Sequence, residues 1–320
     1  MTVQDCGRQA VVAFSVAAAV LLALLFSGCA PAEPEDEHPP ERRDETVRIA
    51  YVPWSSEIAS SNVLRAVLRE RLGYQVEMIE LEPEEMWDAV AAGEADVSVS
   101  AWLPLTHAEY YDRYGDEVDD LGPHVEEVRT GLVVPRVSVG RQTGETGRRV
   151  RPYIPVTSID ELGAYAERFG NRIIGIDPGA GIMARTREAL EVYGLEDQFR
   201  LIEGDEERMV EALKDAVRRQ EWIVVTAWTP HWIFSRWDLA FLEDPQNVFG
   251  DAEAIHTVAR RGLADEMPEL YEVLKRFTWD VRAMSRVMLW IEQADGVDPY
   301  ASAQRWVRTN RSVVDQWLGE

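Results

Sequence analysis

The chain has 320 residues, of which 46% are hydrophobic and 28% charged, enough for a large core and for two lobes. It carries 33 Lys and Arg against 57 Asp and Glu, a formal net charge of −24. Such an acidic surface argues against nucleic acid or anionic lipid as a partner, because both carry negative charge. The acidity is also consistent with a salt-rich habitat, in which counterions screen the self-repulsion.

An apolar run without charge occupies residues 10–26 and is short for a membrane span. Small residues and Cys29 follow it, and this arrangement resembles a bacterial lipoprotein signal peptide over 1–28 with Cys29 as the lipidated residue. The alternative is a single anchoring helix. Either interpretation predicts that the body lies outside the cytoplasmic membrane, as a cell membrane protein facing the periplasm or the cell exterior. Residues 29–45 are rich in proline and charge and are predicted to be a disordered tether.

The cysteines and histidines exclude several kinds of site. Cys6 would leave with the signal peptide, so the mature chain keeps Cys29 alone and forms no intrachain disulfide. Thiol catalysis and cysteine-ligated metals are excluded for the same reason. The histidines show no i,i+4 or HExxH spacing, so neither a metal site nor a cofactor is predicted.

Strand and helix patterns alternate in the first block of the chain. VRIAYVPW (47–54) is predicted to be a strand, and a helix is predicted from Asn62 to Leu72. The strand YQVEMIEL, the helix EPEEMWDAVAAG and the strand ADVSVSAW follow in that order. This alternation predicts a parallel sheet with helices on its faces.

A second block repeats the alternation after the strand RTGLVVP and a surface loop at 139–152. Ser158 and Glu161 have the spacing of a capping box at the start of a helix. The strand NRIIGID, a helix from Ile182 to Tyr193, the strand FRLIEG, a helix over 205–219 and the strand EWIVVTAW follow. Glu206 and Glu207, at the start of that last helix, are predicted to be solvated.

The whole pattern predicts an α/β fold with two lobes and a cleft between them. IHTVARRG is predicted to be a further strand, and 265–317 is predicted to be helical. Lobe 1 would consist of 46–130 and 260–320 and lobe 2 of 131–259, with hinges near 130–135 and 255–262. Two lobes connected in this way can close around a ligand by hinge motion.

Three tryptophans, Trp54, Trp102 and Trp228, each lie where an apolar run ends. Side chains at strand ends face the edge of a sheet where ligands bind in α/β folds, and indole faces attract cations without hydrogen-bond donors. The alternative for each is a packing role. That role is predicted for the other eight: Trp87, Trp222, Trp232, Trp237, Trp279, Trp290, Trp306 and Trp317.

The segment DPGAGIM (177–183) offers free backbone N–H groups at a helix start, which attract an anion. Gly181 and Ile182 are the predicted donors, and His107 is a third candidate. The alternative for the segment is a tight turn. Its glycines also match a loose dinucleotide fingerprint, although Asp177 and Pro178 separate the strand from the first glycine and no catalytic set accompanies it.

The motifs WSSEIASSN, GEADVSVSAWLPLTH, GIDPGAGIM, VVTAWTPHW and IHTVARRG resemble those of substrate-binding proteins of glycine betaine and proline betaine ABC transporters. The resemblance runs from about Val47 to Trp317. It implies a type II periplasmic-binding fold, a partnership with ABC permease and ATPase subunits, and no enzymatic activity. It also implies an ammonium cage of Trp54, Trp102 and Trp228 and carboxylate donors at Gly181, Ile182 and His107.

Two other ligand classes remain open at this point. A choline or carnitine binder belongs to the same transporter class, but choline has no carboxylate for the predicted donors. An enzyme acting on quaternary amines would need a metal, cofactor or base in the cleft, and its only support is the loose glycine fingerprint. The sequence therefore favours a small zwitterionic quaternary amine as ligand, namely glycine betaine or proline betaine.

Overall fold

A computed structural model describes residues 40, 42–136, 153–294 and 297–320 of the chain. The predicted signal peptide, Cys29, residues 29–39 of the tether and the loop 139–152 lie outside these ranges. Arg43, near the end of the predicted tether, is bound to the body: its guanidinium lies 2.6 Å from the carboxylate of Glu269. Its backbone N–H also donates to the carbonyl of Gly73 at 3.0 Å. Contacts with the body therefore begin before residue 46.

The described strands form one curled mixed sheet in the order β2-β1-β3-β9-β4-β7-β5-β6, with β8 pairing to β4. Their bounds are β1 Thr46–Tyr51, β2 Gln75–Glu80, β3 Val97–Leu103, β4 Val118–Pro135, β5 Arg172–Ile174, β6 Arg200–Ile202, β7 Val225–Thr229, β8 Leu239–Phe241 and β9 Glu253–Arg260. β1 is parallel to β2 and β3, and β5 is parallel to β6 and β7. β4 and β9 run antiparallel to their neighbours between these two groups.

The strand β4 belongs to both groups. Its first part pairs with β9 as far as Val128, which lies opposite Glu253, and from Arg129 onward it pairs with β7. We call β1–β3, β9 and the first part of β4 the first lobe, and β5–β8 with the second part of β4 the second lobe. The exchange of partners falls just before the predicted hinge 130–135, and β9 pairs with first-lobe strands along its length.

Helices cover the sheet and connect its strands. They are α1 Ser55–Glu70, α2 Pro83–Ala91, α3 Ala108–Tyr114, α4 Gly181–Val192, α5 Glu206–Arg219, α6 Ile233–Arg236, α7 Leu263–Glu266, α8 Pro268–Arg276, α9 Val281–Gln293, α10 Pro299–Thr309 and α11 Arg311–Leu318, with 3₁₀ turns at Gly115–Glu117 and Ile159–Phe169. The late helices α9 and α10 pack on α1 of the first lobe. Within the described ranges, no helix has the length and apolarity needed to cross a membrane.

Two local predictions are wrong. The helix predicted from Asn62 begins at Ser55, because the first turn is buried between the lobes and its N-terminus is bound by a side chain distant in sequence. The capping box at Ser158 does not form: the carboxylate of Glu161 accepts the backbone N–H of Thr157 at 2.7 Å, and the Ser158 hydroxyl donates to Asp160. The segment accordingly forms 3₁₀ turns with a kink at Tyr165.

Candidate functional site

A small cavity between the lobes brings the three predicted tryptophans together. It encloses about 260 Å³ and is lined by Trp54, Trp102, Thr106, Thr130, Ile176, Ala180, Gly181, Ile182 and Trp228. Both lobes supply walls of the cavity: β3 and the start of α1 lie on one side, and β7 and the start of α4 lie on the other. The cavity is thus a place where one small ligand would contact both lobes at once.

The strand ends determine where the tryptophans lie. Trp102 and Trp228 are the penultimate residues of β3 and β7, and Trp54 lies three residues beyond β1, immediately before α1. All three side chains are buried, with 5%, 2% and 3% of Trp54, Trp102 and Trp228 exposed. The rings of Trp54 and Trp228 lie 6.3 Å apart between centroids and are inclined at 53°. Inclined aromatic faces at this spacing suit a compact cation better than a flat ring.

Each of the three indole N–H groups is bound by an acceptor. Trp54 donates to the carboxylate of Asp177 at 3.0 Å, and Trp102 donates to Glu57 at 2.8 Å. Trp228 donates to the hydroxyl of Ser56 at 3.1 Å. The bonds of Trp54 and Trp228 cross between the lobes. Because these bonds hold the indole edges, the rings are fixed in orientation and their faces need no polar partner.

His107 lies behind the cavity wall, next to Thr106, which lines the cavity. It is fully buried, and its Nδ1 accepts the backbone N–H of Trp102 and the indole N–H of Trp87, each at 3.3 Å. Burial lowers the pKa of His107 to about 3, so the ring is neutral and its proton resides on Nε2. Among the described residues Nε2 has no hydrogen-bond partner. A buried donor without an acceptor is costly, so an acceptor brought by a ligand would be favourable.

Gly181 and Ile182 form the first turn of α4, whose leading N–H groups have no helical carbonyl to bind. The lobes approach each other closely here: a Cβ on Gly181 would lie 1.8 Å from the carbonyl oxygen of Thr106. A glycine is therefore required at this position for the lobes to meet. The same contact places the first lobe's backbone beside the glycine loop.

Several polar residues that build the cleft were not predicted from the sequence. Asp177 and Glu57 bind the indole edges, and Thr130 lines the cavity with a hydroxyl that has no partner among the described residues. The prediction that Glu206 is solvated is wrong: it is 9% exposed and binds Ser55 across the cleft. Its neighbour Glu207 is exposed, as predicted.

Most tryptophans predicted to pack do so. Trp87, Trp232, Trp279, Trp306 and Trp317 are buried, while Trp290 and Trp222 are half-buried beneath Arg305 and Arg168 respectively. A larger open depression of about 1620 Å³ lies beside Trp279 and Trp306, away from the cleft. Within the described ranges, no three His, Cys, Asp or Glu side chains are grouped as metal ligands would be.

Residues 45–309 match the family described as the substrate-binding domain of the ABC-type glycine betaine transport system. The chain belongs to this family. A crystal structure of lactococcal OpuAC, closed and complexed with glycine betaine, is 37% identical with a TM-score of 0.76, and the match covers 86% of this chain and all of that one. A glycine betaine, L-proline-binding protein (ProX) from Borrelia burgdorferi is 34% identical with a TM-score of 0.77, over 85% of this chain and 96% of that one.

A sequence relative from Listeria monocytogenes, a glycine betaine/carnitine transport binding protein, is 45% identical over 152 residues. The match covers 47% of this chain and 50% of the relative, so the chain spans about half the length of that protein. The family and the two structures establish the type II periplasmic-binding fold that the sequence predicted.

Proposed function

We propose that this protein captures glycine betaine or proline betaine outside the cytoplasmic membrane and delivers it to an ABC permease and ATPase for osmoprotection. One observation carries the proposal: three buried tryptophans from both lobes surround a single cavity, with their N–H edges already bound to other groups. Their faces remain for a cation that offers no hydrogen-bond donor. Each such face contributes about 0.5–2 kcal/mol.

The carboxylate of the ligand would bind the opposite end of the cavity. The N–H groups of Gly181 and Ile182 at the start of α4 provide two donors, and the unpartnered Nε2–H of His107 provides the third. A neutral histidine suits this role because it donates without requiring a counter-charge. Choline has no carboxylate to satisfy these donors, so the arrangement favours a betaine. Carnitine, named for the Listeria relative, is the ligand to compare first.

The rest of the organisation follows from the same proposal. The first and second lobes would close over the ligand, with bending where β4 exchanges partners. Closure driven by a ligand requires that the closed state bind it better than the open one, as a site shared between lobes provides. The protein would be held at the membrane by a lipid on Cys29, and binding, not catalysis, would be its task.

Titration of the purified protein with glycine betaine, proline betaine, carnitine and choline, followed by calorimetry, tests the proposal. We expect saturable binding of the betaines and weaker binding of choline. Trp102→Ala should weaken glycine betaine binding by about thirtyfold, while Trp290→Ala, on a helix outside the cavity, should not change it. Absence of binding for all four ligands would contradict the proposal.

A further inference from the structure

Glu57 is a buried carboxyl group that no cation accompanies among the described residues. It lies in the first turn of α1 and is fully buried, and it is not among the residues that line the cavity. Within the described ranges it forms no ion pair; its side-chain partners are the indole N–H of Trp102, at 2.8 Å, and the hydroxyl of Ser56. An ionised carboxylate in such a place is costly unless it is paired with an opposite charge.

The partners of Glu57 connect it to two of the three cavity tryptophans. Trp102 donates to one carboxylate oxygen directly. Trp228 donates to the Ser56 hydroxyl, which in turn donates to the other carboxylate oxygen. The hydrogen bonds thus run from both indole edges toward the same carboxyl group, and the aromatic faces stand between that group and the cavity.

The indole N–H of the third tryptophan, Trp54, also donates to a carboxylate, that of Asp177. A hydrogen bond from an indole N–H to an anion is charge-assisted, and it shifts electron density toward the ring. The attraction between the ring face and a cation grows with that density. The negative charge also acts directly through the low dielectric of the cavity wall.

We propose that Glu57 is the counter-charge of the ligand's quaternary ammonium, acting through Trp102 and Trp228 without touching the ligand. The proposal rests on the proposed function, because it requires a cationic ligand in the cavity. It makes Glu57 a specificity-determining residue that selects a positive centre over a neutral group of the same shape. The competing interpretation is that Glu57 is a packing residue that holds Trp102 in place through a neutral carboxyl.

The charges around Glu57 determine how pH affects this role. Burial and, to a smaller extent, the like charge of Glu206 raise the pKa of Glu57 to about 7, although the hydrogen bonds from Ser56 and Trp102 oppose this shift. Glu206 in turn lies 3.1 Å from His231, and His107, on the far side of Trp102, is neutral because burial lowers its pKa to about 3. A cation in the cavity favours the ionised carboxylate. Affinity for a cationic ligand should therefore rise as pH increases through about 7.

The decisive experiment compares glycine betaine with 3,3-dimethylbutanoate, which keeps the shape and the carboxylate but replaces the ammonium by a neutral tert-butyl carbon. Glu57→Gln keeps an acceptor for Trp102 and removes the charge. We expect it to weaken glycine betaine about tenfold and to leave dimethylbutanoate within about twofold. Glu77→Gln, an exposed site on β2 with the same change of charge, is the matched control and should affect neither ligand.

The outcomes separate the interpretations. If Glu57→Gln lowers the affinity for both ligands equally, Glu57 is a packing residue. If the affinity for glycine betaine is unchanged, Glu57 has no role in binding. If wild-type protein binds neither ligand, the proposed function fails before Glu57 is tested. Should Glu57→Gln not fold, wild-type titrations from about pH 6 to about pH 8 decide: the ratio of betaine to dimethylbutanoate affinity must rise with pH, and a constant ratio would overturn the proposal.

Discussion

Glu206 of the second lobe accepts the backbone N–H of Ser55, the first residue of α1 in the first lobe, at 2.8 Å. Its other carboxylate oxygen accepts the Ser55 hydroxyl, which also receives the indole N–H of Trp232 at 3.2 Å. Glu206 thereby provides the N-terminal cap that α1 lacks within its own lobe. Burial raises the pKa of Glu206, but nearby His231 and the bonds from Ser55 outweigh this and lower it overall, so the group is a carboxylate.

The first prediction is that Glu206→Gln accelerates ligand dissociation about tenfold with little change in association, because it weakens a charge-assisted bond that forms only when the lobes meet. Stopped-flow kinetics with glycine betaine measures both rates. Glu207→Gln, an exposed neighbour in the same helical turn, controls for net charge and for the dipole of α5. Equal effects of the two substitutions would show that the Ser55 contact does not hold the lobes together.

The second prediction concerns the contact between Gly181 and Thr106. Gly181→Ala should abolish betaine binding, since its Cβ would lie 1.8 Å from the Thr106 carbonyl oxygen and keep the lobes apart. The Tm should change little, because the position begins a helix in which alanine is favourable. Gly179→Ala is the matched control: the nearest atom to its Cβ is the Tyr110 hydroxyl at 3.8 Å, so binding should persist. Binding by the Gly181 variant would refute close approach as the reason for this glycine.

The third prediction tests the carboxylate end of the cavity. His107→Ala should weaken glycine betaine about 10- to 100-fold and choline less than about threefold, because the Nε2–H bond to a carboxylate is lost only with the former ligand. Competition calorimetry gives both affinities. A loss of the same size for both ligands would mean that His107 supports the wall through Trp102 and Trp87 and does not contact a carboxylate.

The fourth prediction concerns His124, which is buried on β4 and stacks on Phe277 with ring centroids 5.4 Å apart. Burial, with a smaller effect of His256, lowers the pKa of His124 to about 3. As pH falls below about 6.5, His124 becomes protonated in the unfolded chain but stays neutral in the folded protein. The free energy of unfolding therefore declines from there toward pH 3.

Between about pH 7 and about pH 5, we expect the His124→Phe variant to lose about 2 kcal/mol less free energy of unfolding than the wild-type protein. Urea unfolding of both proteins across this range measures the difference. An identical slope with pH in the two proteins would show that His124 is protonated in the folded state.

Local pattern was enough to predict the tryptophans at the strand ends and the glycine turn before α4, because each depends on neighbours a few residues away. Glu57, Asp177 and Glu206 could not be identified in that way. The bonds that give Asp177 and Glu206 their roles join residues 123 and 151 positions apart in the chain. The helix dipole already explains an acidic residue in the first turn of a helix. The sequence therefore gives no reason to expect that such a residue has a partner in the other lobe.

The same limit applies to where α1 begins. Residues WSSEIASSN lack the apolar spacing of a surface helix, so the sequence analysis started the helix at Asn62. The first turn is helical because both of its sides are covered: Ser56 and Glu57 face the tryptophans, and Ser55 meets Glu206. Tertiary contacts overrode a weak local pattern, as they do when a segment is buried on several sides.

The pairing of Val128 with Glu253 has a consequence for how such a protein is encoded. Residues 129–252 leave the first lobe and return to it at two positions that face each other on neighbouring strands. The second lobe is therefore an insertion with adjacent ends, and segments of that kind tolerate circular permutation. If the present termini were joined by a linker and new ones opened at this junction, the gene could specify either lobe first, while the residues of the cleft keep the same neighbours.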